Sequence, residues 1–139
     1  MRRKILVDTS ALIAYFIKFE RNHNSINNYL NENPDHEWII PSTVFSELMT
    51  WFRIKVNPSK AVPIGTFLRE ECTYHHLTRS EDEETWDIYR KYTDKGWSYT
   101  DCSLLSLSNK MIVPYILTLD HHFKQMNQNR VIVVPEAIL

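Results

Sequence analysis

The chain has 139 residues, of which 43% are hydrophobic and 24% are charged, and its net charge is −1. These values are typical of one globular domain, 1–139, that buries roughly two thirds of its unfolded surface. They exclude a protein that binds nucleic acid through an overall positive charge, so a polyanion would be held locally or through bound cations. With only two glycines, the chain also lacks a glycine-rich phosphate loop.

The cysteines and the N-terminal segment both indicate a cytoplasmic protein. Cys72 and Cys102 stand far apart and form neither a C-x-x-C pair nor a zinc-finger spacing, so we expect them to be reduced thiols. Basic residues 2–4 precede an apolar segment, as in a signal peptide, but polar residues 8–10 interrupt that segment. It is too short and too broken to be a secretion signal or a membrane span.

The first predicted element is a buried strand over residues 5–7, which are apolar and mostly β-branched. Asp8 follows at once, and Thr9 and Ser10 lead into a core-facing helix that ends near Phe16. Open α/β sheets bind ligands at the carboxyl ends of their strands, and Asp8 would lie at such an end. Asp8 is therefore a candidate metal ligand, although Asp, Ser and Thr are also ordinary helix N-caps.

The rest of the chain alternates between helices and strands. Further helices are predicted over residues 22–32, 42–52, 60–71, 80–92, 98–112 and 121–126. Further strands are predicted over residues 38–40, 73–77, 115–117 and 130–134. This alternation predicts an α/β fold with three layers (α/β/α), in which helices flank a short central parallel sheet.

Two helix starts carry particular signals. Pro63 and Gly65 are expected to interrupt the start of the helix over residues 60–71. Residues 80–83, Ser-Glu-Asp-Glu, match a capping box that opens the next helix. We interpret the acids of this segment as structural, because the helix dipole favours negative charge in the first turn.

Four acidic residues lie at a strand end or near a helix start, and they are Asp8, Glu47, Asp101 and Asp120. Because parallel strands end at the same edge of a sheet, we expect these side chains to converge. Clustered carboxylates raise one another's pKa. A hard cation such as Mg²⁺ or Mn²⁺ relieves that repulsion and prefers carboxylate oxygens as ligands. The sequence therefore predicts a cation site at this edge.

Four segments around these acids resemble, in order, the acidic motifs of the PIN-domain family, and particularly those of the small VapC-type ribonuclease toxins. The segments are Val7–Leu12, Pro41–Leu48, Thr100–Leu104 and Leu117–Phe123. The third is rich in Ser and Leu where the family often has Ala, and the turn after the fourth lacks a frequent Gly. The resemblance covers nearly the whole chain and implies a PIN-like three-layer fold.

The resemblance also implies an endoribonuclease that depends on Mg²⁺ or Mn²⁺. Asp8, Glu47 and Asp101 would hold the cation directly or through water, and Asp120 would complete the site or orient water. Neighbouring hydroxyl groups would support these ligands. The hydroxyl-bearing residues are Thr9, Ser10 and Thr118.

An RNA substrate would need basic and aromatic side chains around this acidic crevice. The basic candidates are Arg53, Lys55, Lys60, Lys95, Lys110 and Lys124. The aromatic candidates for stacking on unpaired bases are Trp51, Trp97 and Tyr99. Solvated surface charge or ordinary packing is the commoner role of such residues. His121 and His122 form no ligand pattern, but they adjoin Asp120, which leaves a minor role open for them.

A toxin of this type would have protein partners. We expect an antitoxin whose apolar segment lies in a groove of this chain near Trp51, Phe52 and Phe67. The resemblance also implies a homodimer, because small PIN proteins commonly pair.

Other families with acids at strand ends fit less well. A receiver-type signalling domain needs adjacent acids after its first strand and an Asp after a central strand, whereas Asp8 stands alone and residues 73–77 contain no Asp. Phosphatases of the haloacid-dehalogenase type need Asp-x-Asp, and position 10 is Ser. A PIN-like module that binds RNA or protein without catalysis remains the alternative.

Overall fold

A computed structural model describes residues 2–129 and 131–135. The strands are β1 (Arg3–Val7), β2 (His36–Pro41), β3 (Thr73–His75), β4 (Tyr115–Leu117) and β5 (Ile132–Val134). The α-helices are α1 (Thr9–Phe16), α2 (His23–Glu32), α3 (Ser42–Lys55), α4 (Pro58–Glu70), α5 (Arg79–Lys91) and α6 (Tyr99–Met111). A 3₁₀ segment (His121–Asn129) lies between β4 and β5. No helix within these ranges is both long and apolar enough to cross a membrane.

The strands form one parallel sheet in the order β3-β2-β1-β4-β5. The chain moves from β1 outward to β3 on one side and then returns to build β4 and β5 on the other. The direction therefore reverses between β1 and β4, which is the place where open α/β sheets bind ligands. The parallel sheet and its flanking helices confirm the predicted three-layer α/β/α fold.

Strand β1 lies at the centre of the core. Its residues Ile5, Leu6 and Val7 are fully buried, because a central parallel strand is covered by helices on both faces. The backbone N–H of Asp8, directly after β1, donates to the carbonyl oxygen of Leu117 at 2.9 Å. This bond fixes the ends of β1 and β4 side by side.

Helix α6 is buried over residues 100–108, including its serines. The hydroxyl of Ser103 donates to the carbonyl of Thr100 at 2.7 Å, and that of Ser108 donates to the carbonyl of Val113 at 2.6 Å. The hydroxyl of Ser106 is buried without a hydrogen-bond partner. Small side chains that return their hydrogen bonds to nearby carbonyls let this helix pass through the interior.

Two predicted helix limits were wrong. Helix α4 begins at Pro58 and continues through Pro63 and Gly65, with the Asn57 side chain accepting from the backbone N–H of Lys60. Gly65 instead marks a close helix contact, because a Cβ at this position would lie 2.9 Å from Met49 Sδ. Helix α6 ends before Ile112, whose φ of 55° is left-handed and whose side chain is 86% exposed. Ile112 is therefore not one of the core residues of α6.

The capping box of α5 lies two residues before the predicted one. Thr78 is the N-cap and Glu81 the N3 residue, and both reciprocal hydrogen bonds are present. Glu81 is buried and also bonds His75 Nε2 at 2.8 Å. Ser80, the predicted cap, instead accepts a hydrogen bond from Lys110 Nζ at 2.7 Å.

Candidate metal centre

The four predicted acids line one open cavity of about 540 Å³ at the carboxyl edge of the sheet. Asp8 follows β1, and Asp120 follows β4. Glu47 lies in α3 and Asp101 in the first turn of α6. Four elements that are distant in sequence thus supply carboxylates to a single crevice at the point where the strand order reverses.

Two hydroxyl groups, together with the backbone N–H of Thr9, hold the carboxylate of Asp8. Asp8 occupies the N-cap position of α1 but makes no side-chain capping bond. Its Oδ2 accepts from Thr118 Oγ1 at 2.7 Å and from Ser10 Oγ at 3.0 Å. The N-cap interpretation therefore does not account for this side chain.

The same two hydroxyls connect the ends of β1 and β4. Ser10 Oγ accepts from the backbone N–H of Leu119 at 3.0 Å, and Thr118 Oγ1 accepts from the backbone N–H of Asp120 at 2.9 Å. Each hydroxyl thus orients Asp8 and fixes the segment that carries Asp120. Thr9 also lines the cavity, and its buried hydroxyl has no hydrogen-bond partner.

Asp101 combines a structural contact with a place in the cavity. It is the N3 residue of a capping box, so its Oδ2 accepts from the Ser98 backbone N–H at 2.9 Å. Its own backbone N–H donates to Ser98 Oγ at 3.0 Å. These bonds hold an almost fully buried carboxylate in one orientation.

His122 stands between two of the carboxylates. Its Nδ1 lies 3.2 Å from Asp120 Oδ1 and 3.5 Å from Asp101 Oδ2. Asp101, Asp120 and His122 offer ligand atoms that all lie within 4.8 Å of one another. The sequence left only a minor role open for this histidine; its position two residues after Asp120 was the available signal.

The sequence of the chain identifies the family of proteins to which this site belongs. The family model of the PIN domain matches residues 5–129. The chain belongs to the PIN-domain family. Among curated proteins, no sequence is similar enough to this chain to count as a match.

Solved structures of other PIN-domain-like chains share the fold. The VapC20 toxin of Mycobacterium tuberculosis, described as cleaving the sarcin-ricin loop, has a TM-score of 0.79 and 18% identity over 87% of this chain and 93% of that one. VapBC2 from Rickettsia felis, solved bound to a DNA fragment from its promoter, has a TM-score of 0.67 and 12% identity over 94% of this chain and 96% of that one. FitAcB from Neisseria gonorrhoeae has a TM-score of 0.63 and 12% identity over 97% of this chain and 99% of that one. At these identities the likeness shows a common fold.

The electrostatics of this PIN domain suit a cation. Burial raises the pKa of the Asp8 carboxyl to about 7, and the nearby Asp101 adds to the rise, whereas hydrogen bonds from Thr118, the Thr9 backbone and Ser10 oppose it. Burial also raises the pKa of Asp101, with a further contribution from Asp120. The carboxylates thus oppose one another's ionisation, and a divalent ion would relieve this repulsion.

The donor set also fits a divalent ion. The cavity presents carboxylate oxygens, which hard cations prefer, together with two buried polar atoms that make no hydrogen bond, Thr9 Oγ1 and His122 Nδ1. Asp8 and Glu47 both lie outside the close group of Asp101, Asp120 and His122, and Glu47 contributes less directly because it is exposed on α3.

Several predicted contact residues occupy other environments. Trp97 is buried, with its Nε1 donating to Gln125 Oε1 at 2.9 Å, so of its two candidate roles it has the packing one and is not placed to stack on RNA. Tyr99 is half-buried and its hydroxyl donates to Asp82. Phe52 is a core residue that is 1% exposed, so it cannot form part of the predicted antitoxin groove.

The remaining candidates are accessible to different degrees. Trp51 and Lys55 line the cavity itself. Lys95 lies 3.8 Å from Asp94, and Phe67 is half-buried. Other basic candidates are exposed on the surface, and these are Arg53, Lys60, Lys110 and Lys124. Trp51 and Lys55 are thus the predicted RNA contacts that adjoin the acids.

Proposed function

We propose that this PIN-domain protein is an endoribonuclease that depends on Mg²⁺ or Mn²⁺ and acts as the toxin of a toxin–antitoxin pair. The observation that carries the proposal is the gathering of Asp8, Glu47, Asp101 and Asp120 in one cavity at the strand-order reversal. Family membership and the structural likeness to VapC toxins support the same activity.

The chain's own residues would hold the cation and the substrate phosphate in register. Asp8, Asp101 and Asp120 would be the ligands, with Glu47 reaching in from α3. Ser10 and Thr118 hold Asp8 in place (their hydroxyls share its Oδ2) so that the ligand is oriented before substrate arrives. When bound, such a cation activates water for attack on a phosphodiester and neutralises the charge that develops on the phosphate.

The wall of the cavity beside α3 suits unpaired RNA. Ile13, Trp51 and Ile54 form an apolar surface next to the acids, and Lys55 lines the same cavity. A base that has left its stack can lie against the Trp51 ring, and Lys55 can approach the adjacent phosphate. We therefore expect cleavage within single-stranded or loop RNA.

The same apolar wall is the surface on which we expect an antitoxin segment to lie. Ile54 is 71% exposed and adjoins Trp51, so an apolar peptide would cover both and block the cavity. We also expect a homodimer, which light scattering of the purified chain tests. Cys72 and Cys102 are free thiols, which agrees with action in a reducing cytoplasm.

The central test uses Asp8→Asn. This change preserves shape but removes a ligand charge, so we expect native circular dichroism and loss of Mg²⁺- or Mn²⁺-dependent RNA cleavage. Asp87→Asn is the matched control, because Asp87 is an exposed residue of α5 that pairs with Arg90. Cleavage that persists in Asp8→Asn, or in wild type with EDTA, would refute the proposal.

The alternative, a module that binds RNA without cutting it, predicts a different result. The wild-type chain would then bind Mn²⁺ and RNA, but it would leave RNA intact at every metal concentration. Calorimetry with each ion, run beside the cleavage assay, separates these outcomes.

A further inference from the structure

His122 lines the cavity beside the four acids and offers a nitrogen that could bind a metal ion. It is not one of the acidic residues that the motifs supply. Its Nδ1 is buried and lies near oxygens of both Asp101 and Asp120. We infer that the His122 imidazole is a direct ligand of the cation and makes the site select Mn²⁺ over Mg²⁺. This inference rests on the proposed cation site and specifies which ion that site takes.

The orientation of the ring supports the inference. A Cβ built on Gly96 would lie 3.6 Å from His122 Nε2 and 3.9 Å from Cε1. The Nε2 edge of the ring therefore faces Gly96, while the Nδ1 edge faces Asp101 and Asp120. Gly96 also lines the cavity, and a Cβ there would make only ordinary van der Waals contact with the imidazole.

The contacts of Nδ1 with the two carboxylates form an ion pair if the ring is protonated, but neither contact is a hydrogen bond. Two carboxylate oxygens lie 3.2 Å and 3.5 Å away, yet Nδ1 makes a hydrogen bond to neither of them. A proton on Nδ1 would lie in the ring plane and serve one acceptor at most. A cation between the three groups would accept the nitrogen of His122 together with oxygens of Asp101 and Asp120, whose ligand atoms lie within 4.8 Å of one another.

The backbone holds His122 in this position without a metal. The backbone N–H of His122 donates to Asp120 Oδ1 at 2.9 Å, and that of Phe123 donates to the Asp120 carbonyl at 3.3 Å. The Phe123 side chain is fully buried and anchors the turn in the core. These contacts fix the backbone of the turn from which the imidazole extends.

The mixed ligand set determines the expected selectivity. Mg²⁺ takes oxygen ligands and keeps several waters, so an imidazole contributes little to its binding. Mn²⁺ accepts imidazole nitrogen as well as carboxylate oxygen, although it binds nitrogen ligands more weakly than the later ions of the first transition row. A site with one imidazole and several carboxylates should therefore hold Mn²⁺ more tightly than Mg²⁺.

The test measures electron spin echo envelope modulation of Mn²⁺ bound to the full chain, which detects a directly coordinated nitrogen. We expect nitrogen coupling in the wild type, with a changed pattern when the histidines carry ¹⁵N. His122→Gln should lose the coupling and bind Mn²⁺ roughly tenfold or more weakly. Its affinity for Mg²⁺ should stay within about twofold of the wild-type value, as measured by calorimetry.

Two further variants make the test specific. His121→Gln is the matched control, since His121 is the exposed neighbour of His122 and lies outside the cavity lining. It should keep the nitrogen coupling and both affinities. His122→Asp replaces nitrogen with oxygen and should shift the preference toward Mg²⁺, which tests selectivity even where His122→Gln fails to fold.

Three results would overturn the inference. Bound Mn²⁺ without nitrogen coupling in the wild type, or coupling that survives in His122→Gln, would remove His122 from the ligand set. Equal wild-type affinities for Mn²⁺ and Mg²⁺ would remove the selectivity. In each case the proposed nuclease stands if Asp8→Asn abolishes cleavage, whereas failure of both ions to bind the wild type would overturn the nuclease proposal as well.

Discussion

Asp8→Asn should stabilise the metal-free protein, and the gain should grow with pH. Burial raises the pKa of Asp8 from 3.8 to about 7, so between these values the folded protein keeps a proton that the unfolded chain has lost. The free energy of unfolding therefore falls as pH rises from 3.8 to about 7. Above about pH 7 the carboxyl is ionised in the folded protein too, and the loss of stability is complete. Asn keeps an acceptor for Ser10 and Thr118 and does not ionise.

The magnitude follows from the size of the pKa shift. A rise from 3.8 to about 7 corresponds to ~4 kcal/mol in all, at about 1.4 kcal/mol for each pKa unit. The folded pKa of about 7 lies about two pH units above pH 5, so only this part of the change falls within the measured range. The advantage of Asp8→Asn over wild type should therefore increase by about 3 kcal/mol between pH 5 and pH 8.

Urea unfolding in EDTA, followed by circular dichroism at both pH values, measures this difference. Asp87→Asn is again the control, since its carboxylate is 63% exposed and lies outside the cavity lining. Saturating Mn²⁺ at pH 8 should stabilise wild type more than Asp8→Asn. If the stability difference between Asp8→Asn and wild type is the same at pH 5 and pH 8, burial does not make ionisation of Asp8 unfavourable. The electrostatic argument for a cation would then fail.

Further variants test the buried hydroxyl groups and the Trp51 surface. Thr118→Val should cost about 2 kcal/mol in urea unfolding and reduce RNA cleavage, because it removes the hydroxyl that bonds Asp8, whereas Thr118→Ser should retain both. Ser106→Ala should raise stability by about 1 kcal/mol because its buried hydroxyl has no partner, and Ser108→Ala, which loses a 2.6 Å bond, should lower it. Trp51→Ala should weaken single-stranded RNA binding about tenfold by fluorescence anisotropy, and an unchanged affinity would exclude stacking on this ring.

Local patterns were sufficient for the centre of the fold. Residues 5–7 form a short apolar run that ends at Asp8, and this run is β1. The alternation of helices and strands then predicted the parallel sheet, because few other arrangements bury such a strand. The expectation that the acids meet depended on this topology as much as on the acids themselves.

Tertiary contacts determine the features that could not be predicted from the sequence. Thr78-x-x-Glu81 and Ser80-x-x-Glu83 both match a capping box, and the buried bond from Glu81 to His75 selects the first. Trp97 looks like a binding residue in sequence, but its partner Gln125 lies in a segment that only the folded chain brings near. The place of His122 in the cavity also depends on the tertiary structure, because the turn after β4 brings its side chain close to Asp101.

The bond between Thr118 and Asp8 joins residues 110 positions apart. A chain that is still being synthesised cannot close this contact until β4 has left the ribosome. The four carboxylates of the cavity can therefore come together only after both β1 and β4 have been synthesised.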